Sequence, residues 1–398
     1  MRNKLKIFVA LALLCVFIFL FSSCSLTKND NYTENNSTIK IGMSAPLWGT
    51  KSEYGIAAKN SAQIAVDEIN AMGGINGIKF ELVVENDLNS DIMAHLSYQN
   101  LYKNGMQISL GTATNRPSGV FNENAYEDNV FILTPFASSD DTVLPYENVY
   151  QMCDLDSNQG ALIAHIFNVQ YEGIKIGVFY KSDDKKSVGV TESFLNNISN
   201  SFEKVTTASV SSLTSGSISI DYLIQANKLK DCDVVFMPVY DDIAVRFMKA
   251  AKDIIKPNAI LYGTDDLSGI DSKENFDISS IPQSVAYFTT FNSYESKGRE
   301  YVNKYIEKYG YDAPINECGA NAYDSVYAIY QALKCASDKG AEIRANMSSS
   351  EFCDILKSVF SSDFEFQGVT NLGESVTTWD AQGAAHKIRV TLVLKESN

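Results

Sequence analysis

Apolar positions from residue 39 onward alternate between short runs typical of strands and longer stripes with the spacing of a helix. A buried strand is predicted at Ile39–Met43, and a helix follows at Tyr54–Ala71. The apolar face of that helix consists of Ala58, Ala62, Ala65 and Ile69, spaced four, three and four residues apart. The glycine-rich segment 73–77 ends the helix and leads into a second strand, Phe80–Glu85.

The same alternation continues to the C-terminus. Further strands are predicted at Gln107–Gly111, Val130–Leu133, Ile174–Tyr180, Asp233–Pro238, Ala259–Tyr262, Ser284–Thr289, Val376–Trp379 and Ile388–Leu394. Helices are predicted at Ile92–Lys103, Gly119–Glu127, Gln159–Val169, Val190–Phe202, Tyr222–Leu229, Ile243–Ile254, Lys297–Tyr309, Asn321–Ser337 and Ser350–Val359. This order favours an α/β protein in which helices cover both faces of parallel sheets.

The N-terminus has the pattern of an export signal. Three basic residues precede an apolar run of 15 residues, Ile7–Phe21, which is short for a membrane span of roughly 18–20 residues. Ser22-Ser23-Cys24 follows and resembles a bacterial lipobox. We therefore expect a signal peptide at 1–23, lipidation of Cys24 and a polar tether at 24–38. An ordinary signal peptide cut nearby, or an uncleaved anchor helix, is the alternative.

Composition limits the partners of the exported chain. The full sequence has 33 basic and 48 acidic residues, and the signal peptide removes three of the basic ones, which leaves a net charge of −18. Such an acidic surface repels phosphate backbones, so nucleic-acid binding is not expected. The remaining chain is longer than a single hydrophobic core usually stabilises, so two lobes are expected.

Cysteine and histidine spacing gives no sign of a metal or cofactor. Of seven cysteines, five lie beyond Cys24, with no C-x-x-C pair, and the three histidines show no H-x-x-x-H spacing. Cys335 and Cys353 could bridge neighbouring helices, or all five could remain buried thiols.

Motifs for catalysis are also missing from the sequence. It contains no G-x-S-x-G elbow, no phosphate-binding G-x-x-x-x-G-K-[ST] loop and no G-x-G-x-x-G fingerprint. Acidic doublets occur at Asp140-Asp141, Asp183-Asp184, Asp241-Asp242 and Asp265-Asp266. Each stands where a strand ends and a helix or turn begins, so helix capping competes with acid–base chemistry as their role. We therefore expect that the protein is not an enzyme.

The candidate site lies in the loops that follow the strands, because open α/β sheets bind ligands at the carboxyl ends of their strands. These loops are Leu47–Gly55, Thr112–Gly119, Thr134–Asp141, Lys181–Gly189, Tyr240–Asp242 and Gly263–Gly269. They are rich in hydroxyls, amides, aromatic rings and acids. Backbone N–H groups and hydroxyls suit a ligand carboxylate, and an acid suits a ligand ammonium.

Several short stretches occur in an order typical of one family. The longest is Glu68-Ile69-Asn70-Ala71-Met72-Gly73-Gly74-Ile75-Asn76-Gly77, which follows Ile41-Gly42, Pro46-Leu47 and Gly55. Later stretches are Thr134-Pro135, Asp156-Ser157-Asn158-Gln159-Gly160, Tyr309-Gly310, Ala322-Tyr323-Asp324, Phe366-Gln367-Gly368-Val369-Thr370 and Asp380-Ala381-Gln382-Gly383. From Ile39 to the C-terminus the chain resembles the leucine/isoleucine/valine-type periplasmic binding proteins, the amino-acid branch of the type I periplasmic-binding fold.

The resemblance implies two Rossmann-like lobes, each a parallel sheet flanked by helices, joined by three crossovers. Lobe 1 is expected at residues 39–153 plus 292–369, and lobe 2 at 154–291 plus 370–398. The C-terminal strands could be shared between the two lobes. The crossovers are expected near Met152–Asp156, Thr289–Asn292 and Gly368–Glu374.

The resemblance also assigns ligand-binding residues. They are Tyr54, Thr114, Asn115, Phe136, Ala137, Ser138, Lys186, Tyr240 and Asp265. Thr114 or Asn115 is expected to bind a ligand carboxylate, and Asp265 is expected to bind the ligand ammonium. Ser138 matches a hydroxyl residue of the family's site. Lys186 or Ser187 replaces a family aromatic residue. In the cleft Lys186 would favour an acidic ligand, and otherwise it is a solvated loop lysine.

By this resemblance the protein is a lipid-anchored, extracytoplasmic and monomeric binding protein. It is expected to capture an amino acid or a related small polar solute by hinged closure and to deliver it to an ABC permease and its ATPase. A ligand-sensing regulatory lipoprotein that acts on a membrane partner is the alternative.

Overall fold

The structure is a computed structural model that describes residues 38–49, 51–212, 218–273 and 275–397. The predicted signal peptide, Cys24 and all but the last residue of the predicted tether lie outside the described residues. Within the described part of the chain, no helix has the length and apolarity needed to cross a bilayer.

Residues 38–151 build a parallel sheet of five strands in the order β2-β1-β3-β4-β5. Its strands are β1 (Thr38–Ala45), β2 (Lys79–Asn86), β3 (Ile108–Thr112), β4 (Phe131–Thr134) and β5 (Val149–Gln151). The helices between them are α1 (Ser52–Ala71), α2 (Asp91–Lys103), α3 (Asn115–Glu127) and the single turn α4 (Asp140–Val143). Ile39, Ile41 and Met43 of β1 are completely buried, as expected for a strand covered on both faces.

The second sheet has the order β13-β10-β9-β8-β6-β7, and β13 is antiparallel to β10 while the other neighbours are parallel. Its strands are β6 (Lys175–Lys181), β7 (Lys204–Val210), β8 (Val234–Met237), β9 (Ile260–Gly263), β10 (Ser284–Thr289) and β13 (Val390–Lys395). The helices are α5 (Asp156–Gln170), α6 (Lys185–Asn197), α7 (Ile218–Lys228) and α8 (Asp241–Ala251), with short 3-10 turns at Asp265–Leu267, Ile270–Ser272 and Ile278–Ser280.

Three later helices return to the first sheet: α9 (Ser296–Tyr309), α10 (Glu317–Asp338) and α11 (Ser349–Phe360). A hairpin of β11 (Thr378–Trp379) and β12 (Ala385–His386) follows them. Its Trp379 packs against Phe360 with ring centroids 4.6 Å apart and donates a 2.7 Å hydrogen bond to the Gln151 carbonyl. The hairpin therefore belongs beside the first sheet.

Within the described residues the chain passes between the two sheets three times. The first passage lies between β5 and α5, and the second between β10 and α9, as predicted. The third was predicted near Gly368–Glu374, but the hairpin keeps the chain beside the first sheet until His386, so the passage falls at 387–389.

The predicted α/β class with parallel sheets is confirmed, and the differences are local. The helix predicted at Val190–Phe202 runs instead from Lys185 to Asn197, because the Asp184 carboxylate accepts the Ser187 N–H at 3.0 Å and caps its start. Strands β5 and β7 were not predicted. Strand β5 has only three residues, and the helix predicted at Val190–Phe202 extended almost to the start of β7. All five cysteines of the described chain are free thiols, including Cys335 and Cys353.

Candidate ligand-binding cleft between the two sheets

The nine residues assigned from the sequence all stand on segments that follow the carboxyl ends of strands. Those of the first sheet are Tyr54 after β1, Thr114 and Asn115 after β3, and Phe136, Ala137 and Ser138 after β4. Those of the second sheet are Lys186 after β6, Tyr240 after β8 and Asp265 after β9. All nine are buried, the most exposed being Tyr240 at 6 %.

Aromatic rings from both sheets meet in this region. Tyr54 stacks on Phe136 at a centroid distance of 5.6 Å, and it meets Tyr240 of the second sheet edge-on at 5.3 Å. Lys51, at the start of α1, lies over the Tyr240 ring at 3.5 Å. These contacts bring strand-end residues that are nearly 200 positions apart in the sequence into one cluster.

Lys186 lies at the centre of the cluster. Its ammonium is 2.9 Å from Asp265 Oδ1 and 3.1 Å from Asp266 Oδ2, and it lies 4.4 Å from the centroid of the Phe136 ring. Burial disfavours the charged amine, but the two carboxylates outweigh burial and raise the pKa of Lys186 well above its usual value. Burial also raises the pKa of Asp265, although Lys186 opposes that shift. Lys186 is therefore a buried, paired cation rather than a solvated loop lysine.

The polar side chains that follow strands of the first sheet already form hydrogen bonds with other residues of the protein. Asn115 Oδ1 accepts the backbone N–H of Ser138 at 2.5 Å, and Asn115 Nδ2 donates to Ser138 Oγ at 3.2 Å. The Thr114 hydroxyl donates to Asn89 Oδ1 at 2.9 Å. The structure thus brings Asn115 and Ser138 together and directs the Thr114 hydroxyl to a neighbouring loop.

Ion pairs connect the two sheets around the cluster. Lys273, from the segment after β9, reaches Glu53 on α1 at 2.7 Å. Lys51 pairs with Asp242 on α8 at 2.8 Å, and Lys185 on α6 pairs with Asp141 on α4 at 2.8 Å. Opening of the space between the sheets requires these pairs to separate, which costs little for the exposed Lys185–Asp141 pair.

Buried charges also accompany the three passages between the sheets. Arg389, in the third passage, forms an ion pair with Asp154 in the first. Glu317 accepts hydrogen bonds from Thr289 and Thr290 at the second passage. The Lys387 ammonium donates to Asn321 Oδ1 at 2.9 Å and to Thr370 Oγ1 at 2.7 Å.

Three polar residues of this region were not assigned from the sequence: Asp156, Gln159 and Asp266. Asp266 was visible only as the second member of an acidic doublet. Asp156 and Gln159 lie in the Asp-Ser-Asn-Gln-Gly stretch that opens α5, which was interpreted as a family landmark alone. In the described chain, both carboxylate oxygens of Asp156, Gln159 Oε1 and Asp266 Oδ1 are buried with no hydrogen-bond partner.

Two mainly parallel sheets whose strand-end loops meet around a buried polar cluster define the type I periplasmic-binding fold. The chain belongs to the periplasmic binding protein family, whose model matches residues 38–384. The family resemblance seen in the sequence is thereby confirmed, as is the expectation that the protein is no enzyme.

Curated relatives cover part of the chain at low identity. The Leu/Ile/Val-binding protein BraC3 of Rhizobium johnstonii is 26 % identical over 239 residues, which are 59 % of this chain and 64 % of the relative. The leucine-, isoleucine-, valine-, threonine- and alanine-binding protein of Pseudomonas aeruginosa is 24 % identical over 171 residues, which are 43 % of this chain and 45 % of the relative. The matches thus span less than two thirds of either relative.

Solved structures match almost the whole fold. The branched-chain amino acid transporter substrate-binding protein LivJ of Streptococcus pneumoniae, in complex with isoleucine, superposes with a TM-score of 0.69 at 23 % identity. The match covers 89 % of this chain and 100 % of LivJ. At this identity the likeness establishes the fold.

Proposed function

We propose that this protein is an extracytoplasmic solute-binding protein that captures an amino acid or a related small polar solute between its two sheets. It would then deliver the solute to an ABC permease and its ATPase. The observation that carries the proposal is the cluster formed by Tyr54 and Phe136 of the first sheet with Tyr240 and Lys186 of the second. The names of the relatives, which describe binding of small amino acids, support the same class of ligand.

The arrangement suits capture by closure. Residues of both sheets line the same buried region, so a solute there would contact both halves of the molecule and favour the closed form. The three passages at 152–155, 290–295 and 387–389 are the places where hinge rotation would occur. A membrane partner could then distinguish the loaded protein from the empty one by its shape.

Membrane attachment is part of the proposal. The basic and apolar pattern of residues 1–23, which predicts a signal peptide, and the cysteine at 24 support lipidation of Cys24, with the polar segment after it as a tether. We propose that the mature protein acts as a monomer on the outer side of the membrane. Mass spectrometry of Cys24 in the protein isolated from membranes would test the lipid.

A thermal-shift screen tests capture directly. The chain without residues 1–23 is screened against amino acids, short peptides and organic acids. A solute at 100 times its dissociation constant should add about 2.7 kcal/mol to the free energy of unfolding. Failure of every solute to stabilise the protein would contradict the proposal.

A matched pair of serine variants tests where a stabilising solute binds. Ser138→Ala removes a buried hydroxyl from the cluster and should weaken binding by about tenfold, the usual value of one hydrogen bond. Ser325→Ala removes a buried hydroxyl that donates to the Asn321 carbonyl at 2.8 Å, away from the cluster, and should leave affinity unchanged. Equal affinities in the two variants would place the solute elsewhere.

A further inference from the structure

A cavity of about 420 Å³ opens between the two sheets beside the buried cluster. One wall is the loop 139–141 after β4, and the opposite wall is the loop 182–185 after β6 with the first turns of α6. The charged side chains that line it are Asp140, Asp141, Asp156, Asp183, Asp184, Glu192 and Lys185. The lining is therefore strongly acidic.

Four of these carboxylates already serve the protein itself. Asp140 accepts hydrogen bonds from Ser157, Asp141 from Ser139 and Lys185, Asp183 from Lys181 and the Ser212 N–H, and Asp184 from the Ser187 N–H. They cap turns or form surface pairs, which is the ordinary role of aspartates at strand ends. Their presence alone does not indicate a ligand.

Asp156 is different. Its residue is 1 % exposed, and neither carboxylate oxygen has a partner at hydrogen-bond geometry among the described residues, although the Ser138 side chain is near enough to favour the charged form. Gly189 faces it so closely that a Cβ there would lie 3.2 Å from Asp156 Cβ, so any larger residue would press on the carboxylate. Burial raises the pKa of Asp156 well above its usual value, although Lys186 and the Ser138 side chain oppose the shift. A carboxylate kept from water without a donor is costly, and a donor from a ligand would remove that cost.

The charge balance next to the cavity indicates what that donor is. Asp156 lies in the electrostatic field of Lys186 and Asp265, so the cavity adjoins the buried cluster. Lys186 forms ion pairs with Asp265 and Asp266 but none with Asp156, and Lys51 also favours the charged form of Asp266 from a greater distance. Lys186 also forms an ion pair with Asp265, the acid that the sequence assigned to a ligand ammonium. A neutral zwitterion or an anion brings no net positive charge to favour ionisation of the buried Asp156 acid, whereas a cation favours its carboxylate form.

We propose that this cavity binds the ammonium group of a cationic organic solute, such as a basic amino acid or a diamine, and that Asp156 is its partner. The proposal rests on the proposed function, since it names the solute class of the same cleft. A primary ammonium has three donors, and Asp156, which lines the cavity, offers it two acceptor oxygens. Within the described chain, no group of three or more His, Cys, Asp or Glu side chains is arranged to hold a metal ion.

Titration calorimetry of the chain without residues 1–23 tests the proposal. The probes are L-lysine, L-arginine, 1,4-diaminobutane and 1,5-diaminopentane, with L-norleucine, L-glutamate and Ca²⁺ for comparison. L-Norleucine matches L-lysine without the side-chain amine. At an ionic strength of 0.15 M, where exposed charges are largely screened, at least one organic cation should bind. L-Norleucine should bind at least tenfold more weakly than L-lysine.

Two variants separate a specific contact from the general acidic field. Asp156→Asn should weaken binding of the cation by 10- to 100-fold, because it removes a buried charge-assisted hydrogen bond. Asp183→Asn removes the same formal charge from the same cavity, but from a carboxylate already paired with Lys181, and should change affinity less than threefold. Without a probe, Asp156→Asn should melt at the same temperature as the parent chain or higher. Asp156→Ser repeats the binding test should the asparagine variant not fold.

The possible outcomes distinguish a failure of the cation inference from a failure of the proposed solute capture. Binding of L-norleucine or L-glutamate with unchanged affinity in Asp156→Asn overturns the cation inference and leaves solute capture standing. Binding of Ca²⁺ alone, lost in Asp156→Asn, overturns it in favour of a metal site. Binding of none of these probes overturns it as well, and solute capture itself then depends on the wider thermal-shift screen.

Discussion

The ammonium of Lys186 lies 2.9 Å from the carboxylate of Asp265 in the interior of the cleft, where the two side chains are 4 % and 6 % exposed. The residues are 79 positions apart and stand after different strands of the second sheet. The acid assigned to a ligand amine is thus paired with an amine of the protein. This relationship changes both the expected stability of the empty protein and the expected charge of its ligand.

Replacement of Lys186 should destabilise the empty protein strongly. Lys186→Met removes the ammonium that Asp265 and Asp266 share and leaves two buried carboxylates uncompensated. Breaking a buried pair by removing one partner costs about 3–5 kcal/mol. Urea unfolding at pH 7 measures the loss.

The neighbouring lysine supplies the control. Lys185 pairs with Asp141 at 2.8 Å, but the two side chains are 56 % and 60 % exposed. Lys185→Met should therefore change the free energy of unfolding by less than about 1 kcal/mol. Similar losses in the two variants would mean that Lys186 is not a buried, paired charge.

Two glycine-to-alanine substitutions should act in opposite directions. In α5, a Cβ on Gly160 would lie 2.4 Å from the Val190 carbonyl oxygen and 2.8 Å from the Phe194 nitrogen, so α5 and α6 would have to separate. Gly160→Ala should cost about 1–3 kcal/mol by overpacking. Gly119, inside α3, has only a methyl of Thr142 at 3.6 Å, and Gly119→Ala should stabilise by about 0.5–1 kcal/mol. Thermal unfolding of both variants checks the signs, and a stabilised Gly160→Ala would contradict the close helix contact.

The second passage between the sheets should depend on Glu317. Its carboxylate accepts hydrogen bonds from the hydroxyls of Thr289 and Thr290 and from the Thr290 N–H at 3.2 Å. Glu317→Gln replaces one acceptor oxygen with an amide and should cost about 1–3 kcal/mol, measured by urea unfolding. Glu295→Gln, at a partly exposed acid that accepts the Gly373 N–H, should cost less than about 1 kcal/mol. Equal costs would argue against a special role for the buried acid.

Stability at alkaline pH should report on Lys387. Burial lowers the pKa of this amine to about 8, although Asp324 and Glu317 oppose the shift and Cys153 also faces it. Between pH 8 and the unfolded value of 10.5, the unfolded chain holds a proton that the folded chain has lost. The Lys387 contribution to stability therefore rises with pH across this window, and below it the folded state bears the full cost of the buried charge.

Lys387→Met should remove that rise. The difference in the free energy of unfolding between the parent chain and the variant isolates Lys387 from other groups that titrate at alkaline pH. We expect this difference to move in favour of the parent chain by up to about 3 kcal/mol between pH 7 and pH 10. A difference that stays constant over this range would show that the Lys387 pKa is not lowered.

The sequence predicted the fold class because apolar periodicity is a local property. The stripe from Ala58 to Ile69 marks a helix whatever it packs against, and Ile39–Met43 marks a buried strand in the same way. Since parallel strands of one sheet present their carboxyl ends along the same edge, the loops carrying Tyr54, Ser138 and Tyr240 could be named as site candidates from order alone. Short or edge strands such as β5 and β7 carry a weaker periodic signal and were missed.

Only the tertiary structure decided which charges are paired. Lys186 could be a solvated lysine or a group in the cleft until the fold placed it between Asp265 and Asp266. The sequence identified Asp156 only as part of a family motif, and the structure shows that its carboxylate is buried with no partner at hydrogen-bond geometry among the described residues. Electrostatic roles depend on burial and on distances between residues far apart in the chain, and neither quantity is present in a local pattern of residue types.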